Sequence, residues 1–429
     1  MDPVTHILDD LAARGLLADT TDLAPLRILL DAGPISLYCG FDPTAPSLHL
    51  GNLIQLLTLR RFQLAGHRPI GLVGGATGMI GDPKEAGERR LNPAAQVAEW
   101  TMSIRAQVER FLDFTGEAAA EIVNNYDWTG GLSTIEFLRD VGKHFSVNRM
   151  LDREAVRARL AGPGISFTEF SYQLLQAHDY LALFRSHGVR LQTGGSDQWG
   201  NLTAGVNLIR RTTGEHVHAI CTPLLTKADG TKFGKTESGT VWLDPMLTSP
   251  YAFYQFWINA DDRDVPALLR TFSLRPLPEV TNLIEASTAE PFRRHGQRAL
   301  AQEMTTLVHS AEHTAAVEAA ATALFGKGEL AALREATLTA ALHEAPHIEL
   351  TAPQAAAAPS LAELFMNSGL VESKAAARRA AAEGGAYLNN NRISDIDATV
   401  KSEELLAGGW VVLRRGRKSV GGVRFPGST

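Results

Sequence analysis

Lys232 and Lys235 flank Phe233-Gly234 in LLTKADGTKFGKTESGT (224–240), a run rich in Gly, Thr and Ser. Lysines on such a loop can close on a polyphosphate and neutralise charge developing on a leaving pyrophosphate. Taken alone, the run is equally a solvated basic loop. A second run, YCGFDPTAPSLHLGN (38–52), carries a different chemistry. In an extended strand Tyr38, Gly40 and Asp42 share one face, and Leu37, Cys39 and Phe41 the other. The second set suits a core. The first suits a cleft wall, where Gly40 admits a flat ligand to the backbone. Pro43 and Pro46 force a turn, and His49-Leu50-Gly51-Asn52 opens a helix. The first N–H groups of a helix are unpaired and attract anions, although four such residues also fit an ordinary helix start. In TEFSYQLLQAHDYL (168–181), Tyr172, Gln176 and Asp179 stand at i, i+4 and i+7, on one helix face. A polar stripe of this kind usually faces solvent; its alternative is a pocket wall.

Three elements must hold these groups. ISLYCGFD (35–42) is β-branched and aromatic, HLGNLIQLLTLRRFQLAGH (49–67) has helical periodicity through Leu50, Leu53, Ile54 and Leu57, and RPIGLVGG (68–75) is a short apolar run. This βαβ pattern predicts an α/β domain with a doubly wound parallel sheet, its ligand beyond the carboxyl ends of the strands. From about Pro250 to Pro346 the chain reads as helical, TAPQAAAAPS (351–360) as a linker, and the remainder as a small α+β unit. That unit has helices near 361–369 and 372–385, a strand–Asn turn–strand in AYLNNNRIS, and a last strand in WVVLRRGRK. The expected division is 1–245, 246–350, a linker at 351–359, and 360–429.

Composition narrows the function classes. Of 429 residues, 45% are hydrophobic and 21% charged, which excludes disorder and collagen. With 41 Lys+Arg against 47 Asp+Glu, the net charge of −6 excludes a basic nucleic-acid coat. The charge is uneven: residues 360–429 hold 10 Lys+Arg and 7 Asp+Glu, a net +3 on an acidic body. Cys39 and Cys221 cannot form a disulfide scaffold or a four-thiolate zinc site, and fit a reducing cytoplasm. The N-terminus lacks the pattern of a secretory signal, and no apolar run approaches the ~20 residues that span a bilayer. His216 and His218 lack a third ligand at metal spacing, and Trp128, Trp199 and Trp257 suit core or interface positions.

Together, His49-Leu50-Gly51-Asn52 and Lys232-Phe233-Gly234-Lys235-Thr236 resemble the HIGH and KMSKS signatures of class I aminoacyl-tRNA synthetases. The run at 38–52, then GGATGMIGDP (74–83), NNYDW (124–128), GKHFSVNRM (142–150), ISFTEFSYQLLQAHDY (165–180) and GGSDQWGN (194–201), is similar in order to the bacterial tyrosyl-tRNA synthetase family. Asn52 stands in place of the last His of HIGH, and the loop lacks Met and Ser, but an amide can still donate and both lysines remain. The resemblance implies a Rossmann-like catalytic domain and tyrosine-tRNA ligation. The runners-up are a tryptophanyl enzyme, a simpler adenylyltransferase, and a non-catalytic RNA-binding relative.

The same resemblance implies roles. Tyr38 and Asp179 hold the phenol of L-tyrosine; Asp82, Tyr172 and Gln176 hold its ammonium; Gln198 lies near its carboxylate. Gly40, Asp42, Gly51, Asn52, Gly195 and Asp197 line the ATP, with Thr44 and His49 on its phosphates. Lys235, Lys232 and Thr236 clamp from the loop, and Lys84 and Arg89 from DPKEAGERR, a segment about one residue shorter than the family pattern. Mg²⁺ accompanies ATP, with no tightly bound cofactor. Residues 360–429 resemble the small RNA-binding domain of ribosomal protein S-four, with Lys374, Arg378, Arg379, Arg414 and Arg415, and beside them Arg417 and Lys418, facing tRNA(Tyr). The family is homodimeric, with an interface near 125–165, and not membrane-bound.

Overall fold

The computed structural model describes residues 6–83, 87, 91–162, 164–231, 233–236, 239–326, 328–416 and 419–426. Lys84, Arg89, Lys232, Arg417 and Lys418 lie outside the described residues, and of Lys235 and Thr236 the backbone alone is described. Cα packing divides the chain into two compact units: Met1–Leu247 with Ala260–Gly296, and Thr248–Asn259 with Gln297–Thr429.

In the first unit, β1 (Ser36–Phe41), β2 (Arg68–Val73), β3 (Glu121–Asn124), β4 (Val189–Gly195) and β5 (His218–Thr222) form one sheet, in the order β3-β2-β1-β4-β5. All of these neighbours are parallel. The direction of strand addition reverses between β1 and β4, which opens a crevice at their carboxyl ends, as in Rossmann-type sheets. A sheet covered on both faces buries both sets of side chains. Tyr38 is therefore as buried as Leu37 and Cys39, rather than lining an open wall. The cleft begins one step later, where Gly40 is exposed and Asp42 half-buried.

The helix Leu50–Leu64 connects β1 to β2 and is buried on nearly every side, beyond the single apolar stripe of its sequence. The sheet covers one side, and the helix Val265–Phe272 packs against it as well. The helix Phe167–His187 starts at Ser166, whose hydroxyl accepts from the Glu169 amide, and stops at Gly188. A buried Arg159–Glu169 ion pair of 2.8 Å ties the helix Glu154–Leu160 to its first turn. Two short strands, β6 (Lys235–Thr236) and β7 (Gly239–Thr240), pair across the lysine loop.

The second unit joins helices to a sheet in the order β10-β9-β11-β12-β8, from β8 (His347–Glu349), β9 (Ala386–Leu388), β10 (Asn391–Arg392), β11 (Trp410–Arg415) and β12 (Ser419–Arg424). Asn389 and Asn390 both take positive φ, which matches the tight turn read from AYLNNNRIS. Its core centres on Leu364, Phe365, Val411, Leu413 and Val423. These units depart from the expected division in two places. Residues 260–296, expected in a helical domain, pack with the parallel sheet. The expected linker follows a strand, β8, that pairs with β12, and Ala352–Ala356 is itself a helix.

Candidate active site

At the carboxyl end of β1, the polar stripe of the 167–187 helix turns inward. Asp179 and Tyr172 are buried. Asp179 accepts hydrogen bonds of 2.9 Å from both Asn125 Nδ2 and Trp128 Nε1. Burial pushes the Asp179 carboxyl from 3.8 up to about 7, against the pull of those two donors. Tyr38 lies beside it, its ring edge-on to Tyr180 at 5.2 Å. Burial first, and then the charge of Asp179, hold its phenol well above the usual range. The Tyr38 hydroxyl is buried with no hydrogen-bond partner among the described residues.

A network runs from this end of the pocket to the other. Asn125 Nδ2 also donates to Thr77 Oγ1 at 2.9 Å, and Thr77 donates to Asp42 Oδ1 at 2.6 Å. Tyr172 donates its hydroxyl to Asp42 Oδ2 at 2.7 Å. Gly74 makes room for this: an added Cβ would stand 2.0 Å from Asp42 Oδ1 and 2.4 Å from Thr77 Oγ1. Asp82 accepts from Gln198 Nε2 at 2.9 Å and Asn201 Nδ2 at 3.2 Å. Arg153 lies against the start of the helix Trp199–Thr213, where a Cβ on Gly200 would meet its Nε at 2.8 Å. Desolvation holds the Arg153 guanidinium below its usual pKa, with Asp82 opposing. The buried Gln176 Oε1 has no hydrogen-bond partner among the described residues.

The groups expected to face the nucleotide sit at the start of the 50–64 helix. His49 is its N-cap and accepts from the Gly51 amide at 3.1 Å, while Asn52 Oδ1 accepts from the His49 amide at 3.1 Å. This reciprocal cap uses the oxygen of Asn52 and leaves its NH₂ as the donor. Thr44, Gly51 and Asp197 are exposed, and Gly195 ends β4 beside Asp197. The chain after the lysine loop is pinned here: Leu50 N–H donates to Val241 O at 3.2 Å and Leu243 N–H to Leu48 O at 2.9 Å.

Sequence reasoning missed four of these neighbours. Asn125 and Trp128 lay in a recognised motif without a role, and Trp128 is a donor to Asp179 rather than simply a core residue. Thr77 and Asn201 carried no signal beyond their place in glycine-rich runs. His218 is buried in β5 with Nδ1 3.3 Å from Thr21 Oγ1, a structural contact. In the second unit, Lys374 pairs with Glu363 at 2.6 Å and Arg378 with Asp397 at 2.7 Å. Arg379 and Arg415 are exposed. Arg414, expected on the basic surface, is buried: its guanidinium stacks on Tyr387 at 3.9 Å and donates to Gly416 O at 2.6 Å. Every residue of β11 from Trp410 to Arg414 is buried, so both faces of the strand are covered, and Arg414 lies on the face opposite Val411 and Leu413.

A family model for class I tRNA synthetases (W and Y) matches residues 30–326. The chain belongs to the class I tRNA synthetases of this tryptophan and tyrosine group. A model of the tyrosine–tRNA ligase SYY-like C-terminal domain matches residues 338–420 of the same synthetase chain. The chain is 59% identical over 426 residues to a tyrosine–tRNA ligase of Streptomyces avermitilis, covering 99% of this chain and 100% of that one. It is 58% identical to one of Acidothermus cellulolyticus, at 99% and 100% coverage. Among solved structures, a C-terminally truncated mitochondrial tyrosyl-tRNA synthetase of Coccidioides posadasii matches with TM-score 0.65 and 29% identity, over 73% of this chain and 91% of that one. A tryptophanyl-tRNA synthetase of Encephalitozoon cuniculi, at 14% identity and TM-score 0.52 over 72% and 87%, shares the fold. Like the rest of its family, this synthetase takes ATP as a substrate. No described helix is long and apolar enough to cross a membrane.

Proposed function

We infer that this chain is a tyrosine–tRNA ligase whose residues divide the work as follows. The phenol of L-tyrosine enters between the Tyr38 hydroxyl and the Asp179 carboxylate. Its ammonium meets the acceptors Asp82, Gln176 and Tyr172, and Gln198 stands by its carboxylate. The observation that carries this reading is the pair of buried, unsatisfied polar groups, Tyr38 Oη beside Asp179 and Gln176 Oε1. Buried polar groups left unpaired are costly. A ligand with a hydroxyl at one end and an ammonium at the other relieves that cost, and phenylalanine does not. Sites built to bond a substrate hydroxyl reject the analogue lacking it by ~10⁴–10⁵, tyrosyl-tRNA synthetases being the known example.

The tyrosine carboxylate is already a nucleophile, so activation needs no general base. One carboxylate oxygen bonds to the α-phosphorus of ATP as the bond to the pyrophosphate oxygen breaks, giving tyrosyl-adenylate. Catalysis is then positioning and stabilisation of charge on the leaving group. Asp42, Gly40, Gly51, Gly195 and Asp197 take the nucleoside side. Thr44, His49 and Asn52 take the phosphates at the helix N-terminus, with Lys232, Lys235, Thr236, Lys84 and Arg89 clamping from either side. Mg²⁺ enters with the ATP phosphates. A ribose hydroxyl at the 3′ end of tRNA(Tyr) then attacks the adenylate carbonyl, releasing AMP.

Arg379 and Arg415 offer exposed charge to the tRNA backbone. Lys374 and Arg378 would exchange their carboxylate partners for phosphate. A homodimer through the 125–165 region is supported by the exposed Tyr126, Ile135, Leu138, Val147, Leu160 and Phe167, apolar groups that favour burial against a second copy. A cytoplasmic location is supported by the tRNA substrate and the two free buried cysteines. ATP–pyrophosphate exchange tests the whole assignment. Exchange should depend on tyrosine, and equal exchange with phenylalanine or tryptophan would overturn the pocket.

A further inference from the structure

The lysine loop has an anchor outside the reacting groups. Phe233, between Lys232 and Lys235 in sequence, is half-buried, and its ring lies 5.4 Å from that of Phe272, inclined by 35°. Phe272 ends the 265–272 helix and is fully buried. The carbonyls at that helix end are gripped by two arginines. Arg14 donates to the carbonyls of Arg270 at 3.3 Å, Ser273 at 2.9 Å and Arg275 at 2.7 Å. Arg61 donates to those of Thr271 and Ser273, each at 2.8 Å. Both guanidinium groups are buried, 5% and 4% exposed. Carbonyls at a helix C-terminus lack intrahelical donors and carry partial negative charge, so two cations there satisfy and fix that end.

Arg61 belongs to the 50–64 helix, whose other end carries His49 and Asn52. The seat of Phe272 is thus tied through one element to the helix start that carries His49 and Asn52. Ala228 N–H of the loop donates to Asp264 Oδ1, just before the 265–272 helix, at 2.7 Å. Phe233 N–H donates to Leu225 O at 3.1 Å, β6 and β7 are two residues each, and Val241 N–H donates to Gly234 O at 3.0 Å. Gly234, at φ +80°, places its backbone where an added Cβ would stand 3.2 Å from Leu50 Cβ.

We propose that Phe272 is a positioning residue for adenylate formation: it is the apolar seat on which Phe233 docks, holding the loop over the start of the 50–64 helix, and Arg14 and Arg61 keep that seat in place. Neither ring touches substrate. Phe272 acts through Phe233 on the lysines beside it. The proposal rests on assigning Lys232 and Lys235 to the ATP phosphates.

Phe233→Ala, Phe233→Met, Phe272→Leu and the Phe233→Ala/Phe272→Leu double variant of the full chain test it by ATP–pyrophosphate exchange. An aromatic pair is worth a factor of roughly 3 to 10. Phe233→Ala should therefore raise KM for ATP and lower kcat/KM for ATP by about tenfold. Tyrosine binding and the melting temperature should stay at wild-type values, and Phe233→Met should recover most of the loss. The double variant should be no worse than the worse single variant. Limited trypsin digestion should cut the 224–240 loop faster in Phe233→Ala than in the wild type with ATP and tyrosine present. Unchanged ATP parameters in Phe233→Ala, or additive losses in the double variant, overturn the proposal. Lys232→Ala and Lys235→Ala separate the premise from it. If both leave exchange intact, the loop assignment fails and the proposal with it; if they impair exchange and Phe233→Ala does not, the proposal alone fails.

Discussion

Asp179 should titrate in two observables with opposite signs. Its carboxyl is raised from 3.8 to about 7 by burial. An acid with a raised folded pKa holds its proton more tightly in the folded chain. That stabilisation is full below about 3.8 and is gone once pH passes about 7. Between those values the slope is ~1.36 kcal/mol per pH unit, so raising pH from 5 to 7 should cost about 2–3 kcal/mol of stability. Tyrosine binding should move the other way if, as proposed, the ionised carboxylate accepts from the substrate phenol. From pH 8 to pH 6 the ionised fraction drops from about nine-tenths to about one-tenth, weakening tyrosine by roughly tenfold. Asp179→Asn removes the titration and should flatten both profiles. It also replaces one acceptor oxygen by a donor facing Asn125 or Trp128, so its baseline stability loses about 1–3 kcal/mol of hydrogen bonding. The assay is a melting-temperature series and tyrosine binding by fluorescence quenching, both from pH 5 to 8, for wild type and variant. Parallel wild-type and variant profiles in either observable would refute the reasoning.

Asn125→Ala and Trp128→Phe each remove one 2.9 Å donor to Asp179. Each should lower kcat/KM for tyrosine by roughly 10- to 100-fold and shift the pH midpoint of tyrosine binding upward, measured by exchange kinetics across pH. His49→Asn should lower kcat of activation with modest change in KM for ATP, because its contact strengthens as pyrophosphate departs; pre-steady-state kinetics showing weaker ATP binding alone would count against it. Arg379→Glu with Arg415→Glu should weaken tRNA charging and make its dependence on salt shallower while leaving pyrophosphate exchange at the wild-type rate, and equal loss of both steps would contradict a role confined to RNA.

Local pattern carried much of the architecture. The period of 3.6 in 49–67 and 168–181, the short apolar run at 68–75, and the Asn pair at 389–390 each depend on interactions within a few residues, and each appears as a helix, strand or turn in the chain. The i, i+4, i+7 spacing of Tyr172, Gln176 and Asp179 placed them on one face, but spacing alone favoured solvent. The ends of elements were less legible. Residues 347–349 read as the end of the helical stretch because a three-residue strand has no periodicity of its own; β8 exists through its pairing with β12. Likewise 260–296 reads as one stretch of helix with its neighbours, and joins the parallel sheet because Arg14 and Arg61 reach its carbonyls from more than 200 positions away.

By itself, then, the amino-acid order determined the residue types at the site, the helix and strand that carry them, and the spacing that aligns them. Tertiary structure alone decided that Tyr38 is sealed from solvent, that Asn125 and Trp128 hold Asp179 from 54 and 51 positions away, and that Arg414 turns inward onto Tyr387. The reason is physical: periodicity records which side of an element is apolar, whereas desolvation and hydrogen bonding depend on what the sheet order brings against that side.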